Sequence, residues 1–349
     1  MSYLISGIQQ IGIGVADLSS AWAWYRRCFG MDVPAFQEAA EAPLMTRYTG
    51  GEVRSRHAVL AINLHGGGGF EIWQYTSRKP VPPSVPPRLG DTGIFACVMK
   101  SRDPAEAHEH LSALGADVTA PAAGPDGHQR CHVADPFGNR FQIAMASDWF
   151  GTPAVVGGVG GAIVGTSDVE RSLPLYREVL GYDMVIYDET GVFPDFATLP
   201  GGDAKLRRVL LGHSQPRTGP FAQLMGASTV ELVQSPGGRA RQIFADRFWG
   251  DLGFIHLCFD VQGMDALAAR CAEAGHAFTV DSAKTFEMGD AGGRFSYTED
   301  PDGTLVEFVE THKLSLVRAL GLKLDLTRRP ADKPLPRWMI RLLGLARVK

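Results

Sequence analysis

The sequence lacks the features that mark several large classes of protein. Its five cysteines are an odd number without a CxxC spacing, which argues against a disulfide framework. No apolar run approaches the roughly 20 residues of a membrane-spanning helix. The N-terminus lacks the basic stretch and long apolar segment of a signal peptide. We therefore expect no integral membrane segment, buried thiols in a reducing compartment, and a cytoplasmic location.

Positive charge is scarce outside the C-terminus. The net charge is −4, yet residues 313–349 contain ten Lys and Arg against two Asp, so the rest of the chain is strongly acidic. An acidic body argues against nucleic acid as the main partner. The 45% hydrophobic and 21% charged composition is typical of a globular protein, and 349 residues suffice for two domains.

The chain contains an internal repeat. Residues 17–25 match residues 168–176 at an offset of 151, FEIWQ matches VELVQ at 160, and DPFGNRFQ matches DPDGTLVE at 165. An offset that only grows is expected of a duplicated domain with loop insertions. We place the boundary within residues 146–156. The predicted domains are residues 5–146 and 155–312, followed by an extension over residues 313–349.

Each half predicts two units of strand, helix and further strands. In the first unit IQQIGIGV reads as a strand, Asp17 as an N-cap and Gly30 as the end of the helix. Asp103 and Pro104 predict the start of a second helix. Pro174 lies inside a helical pattern in the second half and is expected either to kink the helix or to delay its start. The fold class is thus predicted as α+β, with four βαβββ modules.

The basic extension contains two short amphipathic segments, LSLVRALGLKLDL and PRWMIRLLGLARVK. We predict helices that pack over the acidic body. A peripheral membrane contact is the alternative.

Three ionisable residues interrupt apolar strand patterns in the second half: Glu231 in STVELVQ, His256 in FIHLCF and Glu307 in TLVEFVE. Alternation along a strand points each of them to one face among apolar neighbours, where an unpaired carboxylate is costly. Two carboxylates and an imidazole that converge would suit a divalent metal. His213, in LLGHSQPRTG, is interpreted as a surface or lid histidine, with a fourth ligand or an acid–base group as the alternative.

These segments together resemble the vicinal oxygen chelate superfamily, the glyoxalase, bleomycin-resistance and extradiol-dioxygenase proteins. The resemblance covers roughly residues 5–312 and lies in the order of the motifs, repeated twice. It implies two tandem domains of paired βαβββ modules, each cupping an open, barrel-like cavity. It also implies metal ligands on the first and last strands of each module. The motifs that carry it are IGIGVADLSSAWAWYRRCFG, FEIWQYTS, VADPFGNRFQI, VGTSDVERSLPLYREVLGYD, VELVQS, GFIHLCFDV and EDPDGTLVEFVE.

The resemblance assigns four ligand positions to each half. In the second half it implies a metal site of Glu231, His256 and Glu307, where Gly161 leaves coordination open. The metal is one divalent ion, Zn, Ni, Mn or Fe. In the first half alanine cannot ligate and an amide is a weak ligand, so we expect no metal there and a structural or solvated Glu71. The first-half positions are Gln10, Glu71, Ala96 and Gln142.

Three functions fit these expectations. The first is a metal-dependent lyase or isomerase of the glyoxalase or epimerase kind, in which an enediolate forms and Glu231, as a displaced ligand, takes the α proton. The second is an extradiol ring-cleavage dioxygenase with Tyr297 as acid–base residue, although Gly161 replaces the first histidine of those enzymes. The third is a non-catalytic small-molecule binding or resistance protein. All three act on small molecules, and the chain is expected to be a monomer or a homodimer.

Overall fold

The structure is a computed structural model that describes residues 2–237, 240–283, 286–288, 291–317 and 322–348. The first half contains two modules. Module 1 comprises β1 (Leu4–Gly14), α1 (Leu18–Phe29), β2 (Val33–Glu41), a 3₁₀ turn (Pro43–Tyr48), β3 (Ser55–Ile62) and β4 (Gly69–Tyr75). Module 2 comprises β5 (Gly93–Ser101), α2 (Pro104–Ala113), β6 (Asp117–Val118), β7 (Ala122–Ala123), β8 (Gln129–Ala134) and β9 (Arg140–Met145).

The second half repeats the pattern with longer loops. Module 3 comprises β10 (Val159–Gly165), α3 (Val169–Leu173), a π-helical turn (Pro174–Val179), β11 (Met184–Gly191), a 3₁₀ turn (Pro194–Phe196), β12 (Leu206–Gly212), α4 (Ala222–Met225) and β13 (Thr229–Gln234). Module 4 comprises β14 (Gly253–Gln262), α5 (Met264–Glu273), β15 (Val280–Asp281), β16 (Phe286–Met288), β17 (Ala291–Glu299) and β18 (Leu305–Val317).

Local signals set the helix ends as predicted. Asp17 accepts a hydrogen bond from the backbone N–H of Ser20 at the start of α1, and Gly30 ends that helix with φ 62°. Asp103 caps α2 in the same way. Proline has no N–H to donate, and at Pro174 the helix widens into a π turn, where the Leu180 N–H reaches the Leu175 carbonyl.

The strands form two curled half-barrel sheets, and each sheet takes one module from each half of the chain. The first sheet has the order β15-β17-β18-β14-β1-β4-β3-β2, which joins module 4 to module 1. The second has the order β11-β12-β13-β10-β5-β9-β8-β6, which joins module 3 to module 2. The α+β class, the tandem repeat and the half-barrel sheets are confirmed. The modules of one half, however, do not share a sheet.

The two sheets and the helices enclose a common apolar core. Phe141 of β9 packs on Phe254 of β14 with ring centroids 5.6 Å apart, and Phe29 of α1 lies 4.8 Å from Phe141. Tyrosines on the helices bind the DPxG turns of the next module. Tyr25 donates a hydrogen bond of 2.6 Å to Asp135, and the same contact recurs at 3.2 Å in the second half, between Tyr176 and Asp300. These helix-to-turn contacts join the two modules of each half, whereas each sheet joins strands from different halves.

The C-terminal extension differs in part from the prediction. Residues 313–317 continue β18, and Leu322–Asp325 form β19 against it, so the first segment is strand where a helix was predicted; residues 318–321 lie outside the described residues. The second segment is helical, as α6 (Arg337–Arg341) and a 3₁₀ turn (Leu342–Ala346). It packs on the body, where Leu335, Ile340 and Leu343 are buried.

All five cysteines are buried and unpaired, as expected of reduced thiols. Within the described residues, no helix combines the length and the apolar character needed to cross a bilayer.

Candidate metal centre

Three buried side chains converge on the first sheet: Glu71 from β4, His256 from β14 and Glu307 from β18. Nε2 of His256 lies 3.0 Å from Oε2 of Glu307 and 3.4 Å from Oε2 of Glu71. One ligand atom from each residue lies within 4.8 Å of the others. Among the residues that the structure describes, this is the one such group of His, Cys, Asp and Glu.

The strand register produces this convergence. Gly12 of β1 stands opposite Glu71 on one side and opposite His256 on the other. A Cβ at Gly12 would lie 2.5 Å from Cε1 of His256, so the glycine leaves space for the imidazole. Glu307 is in register with Cys258, two residues beyond His256, which brings the carboxylate beside the ring.

A fourth polar group, Gln10, completes the cluster from β1. Its Nε2 lies 3.4 Å from Oε2 of both Glu71 and Glu307, whereas its buried Oε1 has no hydrogen-bond partner. The same amide, turned about its last bond, presents a carbonyl oxygen to the cluster instead. Gln10 is therefore able to act as an oxygen ligand next to the two carboxylates.

Burial and mutual charge perturb all three ionisable groups. Burial raises the pKa of Glu71 to about 7, and the charge of Glu307 adds to the shift. Burial also raises the pKa of Glu307, but His256 outweighs it, so the net shift is downward. For His256, burial lowers the pKa and Glu307 raises it more, so the net shift is upward. The single imidazole of His256 cannot neutralise both carboxylates, so the cluster lacks a full counter-charge of its own.

The residues present fit a divalent metal. Two ligands that bind one zinc ion at about 2.0–2.2 Å lie roughly 3–4 Å apart, and the two measured spacings of His256 Nε2 fall in that range. Nε2 of His256 also has no hydrogen-bond partner of acceptable geometry, although it is fully buried. A cation would satisfy this atom and compensate both carboxylates. Two Glu and one His, with Gln10 beside them, would hold it.

Tyr297 lies beside this cluster, as its predicted role requires. It stands opposite Glu307 in the β17–β18 register, and its hydroxyl is 3.3 Å from Nδ1 of His256. The residue is buried, and burial together with the nearby carboxylates raises its pKa well above the usual value. The phenol is therefore neutral and able to donate a hydrogen bond.

Glu231 does not join this cluster, which corrects the predicted grouping of Glu231 with His256 and Glu307. It lies on β13 of the second sheet, where Nε of Arg208 is 2.6 Å from its Oε1 and the Tyr187 hydroxyl donates to it at 2.7 Å. Burial raises the pKa of Glu231, but Arg208 outweighs this and the net shift is downward. The physical reason is the exchange of modules between sheets, which separates β13 from β14 and β18.

The second sheet holds a buried ion pair at Glu231, the position equivalent to Glu71 of the first sheet. Arg208 has no exposed side-chain surface and bridges Glu231 to Asp195, with contacts of 2.7 and 2.9 Å to the Asp195 carboxylate. Its guanidinium carbon lies 3.5 Å from the centroid of the Phe196 ring. Arg208 supplies the positive charge that compensates Glu231, so the second sheet requires no metal ion at this position.

His213 lies at the end of β12, away from the cluster. Its Nε2 is 3.2 Å from the Ser228 hydroxyl, and its ring stacks on Tyr182 with centroids 4.5 Å apart. Burial lowers its pKa to about 4. These contacts support a structural role for His213.

Sequence reasoning placed Glu71 and Gln10 in a cup without metal and so missed their part in the cluster. A signal was present in the residue types. If module 1 pairs with module 4, the four positions are Gln10, Glu71, His256 and Glu307, which can all donate. The remaining set contains Gly161 and Ala96, which cannot ligate through a side chain. Sorting the eight positions by chemistry would have favoured the observed pairing.

Comparison with known proteins gives one family match. The family model described as the Glyoxalase/Bleomycin resistance protein/Dioxygenase superfamily matches residues 7–143 and 158–308. No protein with a curated function matches the sequence significantly.

Solved structures with the same fold include enzymes and a putative enzyme. Glyoxalase I from Zea mays is 16% identical and superposes with a TM-score of 0.52, covering 88% of this chain and 92% of that one. A putative dioxygenase from Bacillus subtilis is 15% identical, with a TM-score of 0.55 and coverage of 88% and 86%. At this identity the likeness shows the fold alone.

Proposed function

The chain belongs to the Glyoxalase/Bleomycin resistance protein/Dioxygenase superfamily, and from this premise we propose that it is a metal-dependent lyase or isomerase of a small carbonyl compound. The observation that carries the proposal is the buried cluster of Glu71, His256 and Glu307, with Gln10 as a further oxygen donor. The cluster borders a cavity, which Gln10, Glu71 and Glu307 line, so a substrate has access to it.

When bound, a divalent metal would polarise the substrate carbonyl and stabilise negative charge on its oxygen. The chain's own residues would move the protons. We assign the base to Glu71, because its Oε2 lies farther from His256 than that of Glu307 does and is less firmly held. Glu71 would take the proton from the hydroxyl-bearing carbon beside the carbonyl and return it to the former carbonyl carbon, while the hydroxyl proton of the substrate passes to the former carbonyl oxygen.

Tyr297 would donate a hydrogen bond to the oxygen on which charge develops. Its neutral phenol lines the same cavity wall, beside His256. Pre-aligned donors of this kind are a main source of stabilisation in proton abstraction next to a carbonyl.

The dioxygenase alternative has less support. The extradiol enzymes to which the sequence was compared use two His and one Glu, whereas the cluster contains a single imidazole and Gln10 at the remaining position. Such a donor set is richer in oxygen and suits a redox-inert cation at least as well as iron.

Elemental analysis and metal exchange test the proposal. Protein purified without chelator is expected to contain about one equivalent of divalent metal, which a chelator removes. Reloading with Zn or Ni should restore exchange of the α proton of simple α-hydroxyketones into D₂O, followed by NMR, without oxygen uptake.

Two results would count against the proposal. Recovery with Fe(II) alone, accompanied by oxygen uptake, would identify a dioxygenase. If no metal binds and small molecules still bind after chelation, the protein is a binding protein.

Replacing Tyr297 with Phe tests this hydrogen-bond donor. The ring and its packing remain, so we expect unchanged metal content and an α-proton exchange rate that is about 10²–10³-fold lower. Tyr187→Phe is the matched control, because Tyr187 is a buried tyrosine that donates to Glu231 in the other sheet. Equal rates in the two variants would remove Tyr297 from the reaction.

A further inference from the structure

The cavity next to the cluster has room for an apolar group besides the reacting atoms. Its volume is about 160 Å³, comparable to an apolar cavity of about 150 Å³ that binds benzene. The cluster lies on one wall, so most of the space extends beyond the reacting atoms.

That space is walled by apolar side chains from several separate parts of the chain. They include β2, the turn Pro43–Tyr48, the α4 region of module 3, the loop before β14 and the C-terminal extension; examples are Phe36, Leu44, Phe221, Met225, Trp249 and Leu343. Most of these residues are buried, whereas Leu44 stands 42% exposed at the mouth. Such a surface favours an apolar ligand, because each buried methylene contributes about 0.8 kcal/mol.

The two arginines in the wall are matched by carboxylates. Arg56 lies 3.1 Å from Glu38, and Arg294 binds Asp281 at 2.7 Å and Asp265 at 2.5 Å. A further carboxylate, Glu41, lines the cavity without an arginine of its own in this wall. Among the described residues that line the cavity away from the cluster, no surplus positive charge is therefore present, and an anionic substituent on the substrate would be disfavoured.

The extension forms part of this wall and is fixed in place. Leu343 lines the cavity, the backbone N–H of Val348 donates to the Asp32 carbonyl at 2.9 Å, and Arg347 pairs with the Asp32 side chain at 3.4 Å. Arg337 also donates to the backbone carbonyl of Phe150. The extension thus contributes apolar surface to the cavity where its 3₁₀ turn, Leu342–Ala346, packs against β2 and β18.

From these observations we propose that the substrate carries its reacting carbonyl on a neutral, apolar body. The carbonyl would bind at Glu71, His256 and Glu307, and the body would occupy the apolar cavity. The assignment of the carbonyl rests on the proposed function, whereas the assignment of the apolar body rests on the cavity alone.

Alkyl hydroxamic acids test both parts, since each carries two neighbouring oxygens on a chain of chosen length. Calorimetry on Zn-loaded protein would compare acetohydroxamic with octanohydroxamic acid. We expect affinity to rise up to about fourfold for each added methylene, and at least about 100-fold over the series. Suberic acid monohydroxamate, of the same length but ending in a carboxylate, should bind at least about tenfold more weakly than octanohydroxamic acid.

Two exposed positions offer a matched pair of variants. Leu44→Glu places a charge at the mouth, and we expect octanohydroxamic acid to bind about tenfold more weakly while acetohydroxamic acid is unaffected. Val192→Glu makes the same change at a residue that is 59% exposed and does not line the cavity, so both ligands should bind as in the parent.

The outcomes separate this inference from the proposed function. Affinity that does not change with chain length, or a carboxylate-ended ligand that binds as tightly as its neutral counterpart, would overturn the apolar substrate even if metal binds. Metal-free protein is tested with the neutral amides acetamide and octanamide, which do not chelate. A rise with length there, in a protein that takes up no metal, would support the apolar body while refuting the metal-dependent function.

Discussion

Glu71→Gln is expected to lose the bound metal, whereas Glu231→Gln is expected to keep it. The two glutamates occupy equivalent positions in β4 and β13, and both are buried. Only Glu71 shares a cluster with His256 and Glu307. The amide keeps the shape of the side chain but removes the charge that a divalent ion requires.

The expected loss of metal affinity can be bounded from the effect of smaller changes at metal sites. Loss of a group that merely orients a metal ligand typically costs 10–100-fold in metal affinity, so loss of a ligand should cost at least about 100-fold. Competition with a coloured chelator would measure the dissociation constant of Zn for both variants. Because the two substitutions are chemically identical, each serves as the other's control for burial of an amide. Retention of metal by Glu71→Gln with loss from Glu231→Gln would refute the proposed centre.

Arg208→Met is expected to lower the free energy of unfolding by about 3–5 kcal/mol. Removing one partner of a buried ion pair leaves an uncompensated charge, and here one arginine serves both Glu231 and Asp195. Methionine fills much of the same volume. The loss of stability is therefore due to the missing charge more than to an empty cavity. Urea unfolding at neutral pH would measure it, and the metal content should not change.

The pH dependence of this loss has a definite sign. Arg208 holds the pKa of Glu231 below the usual 4.5 in spite of burial. Stability from that group is therefore present above about pH 4.5 and decreases as the pH falls through the lowered value. The difference between the parent and Arg208→Met should accordingly shrink in acid, where Glu231 becomes protonated.

Arg207→Met provides the control for the arginine itself. Arg207 is the preceding residue of β12, its side chain is 26% exposed, and it pairs with Asp188 and Glu170. Exposed pairs of this kind contribute about 1 kcal/mol or less. In the variant with Arg208→Met and Glu231→Gln together, part of the lost stability should return, because the uncompensated charge of Glu231 is gone and Asp195 still has Arg130 at 3.6 Å. A loss below about 1 kcal/mol for Arg208→Met would show that the pair does not support the second sheet.

The elements themselves could be predicted because their causes are local. Asp17 and Gly30 delimit α1 through contacts within a few residues, and Pro174 disturbs its helix through its own missing N–H. The C-terminal extension was harder to predict. Its first segment has an apolar pattern compatible with a helix, but residues 313–317 prolong β18 and pair with β19. Pairing with a neighbouring strand overrides such a local preference.

By itself, the sequence determined the four modules, their strand and helix order, and which chemical group stands at each position that faces a cup. These features follow from the spacing of apolar residues, the helix-capping residues and the internal repeat. Only the tertiary structure decided which modules share a sheet. β1 pairs antiparallel with β14, which places Gly12 opposite His256 although the two residues are far apart in sequence. β10 likewise pairs antiparallel with β5. Backbone hydrogen bonds between strands are alike for either pairing, so the local sequence carries little information about the choice. Because each sheet pairs modules from different halves, Glu71 lies in the cluster with His256 and Glu307, whereas Glu231 pairs with Arg208.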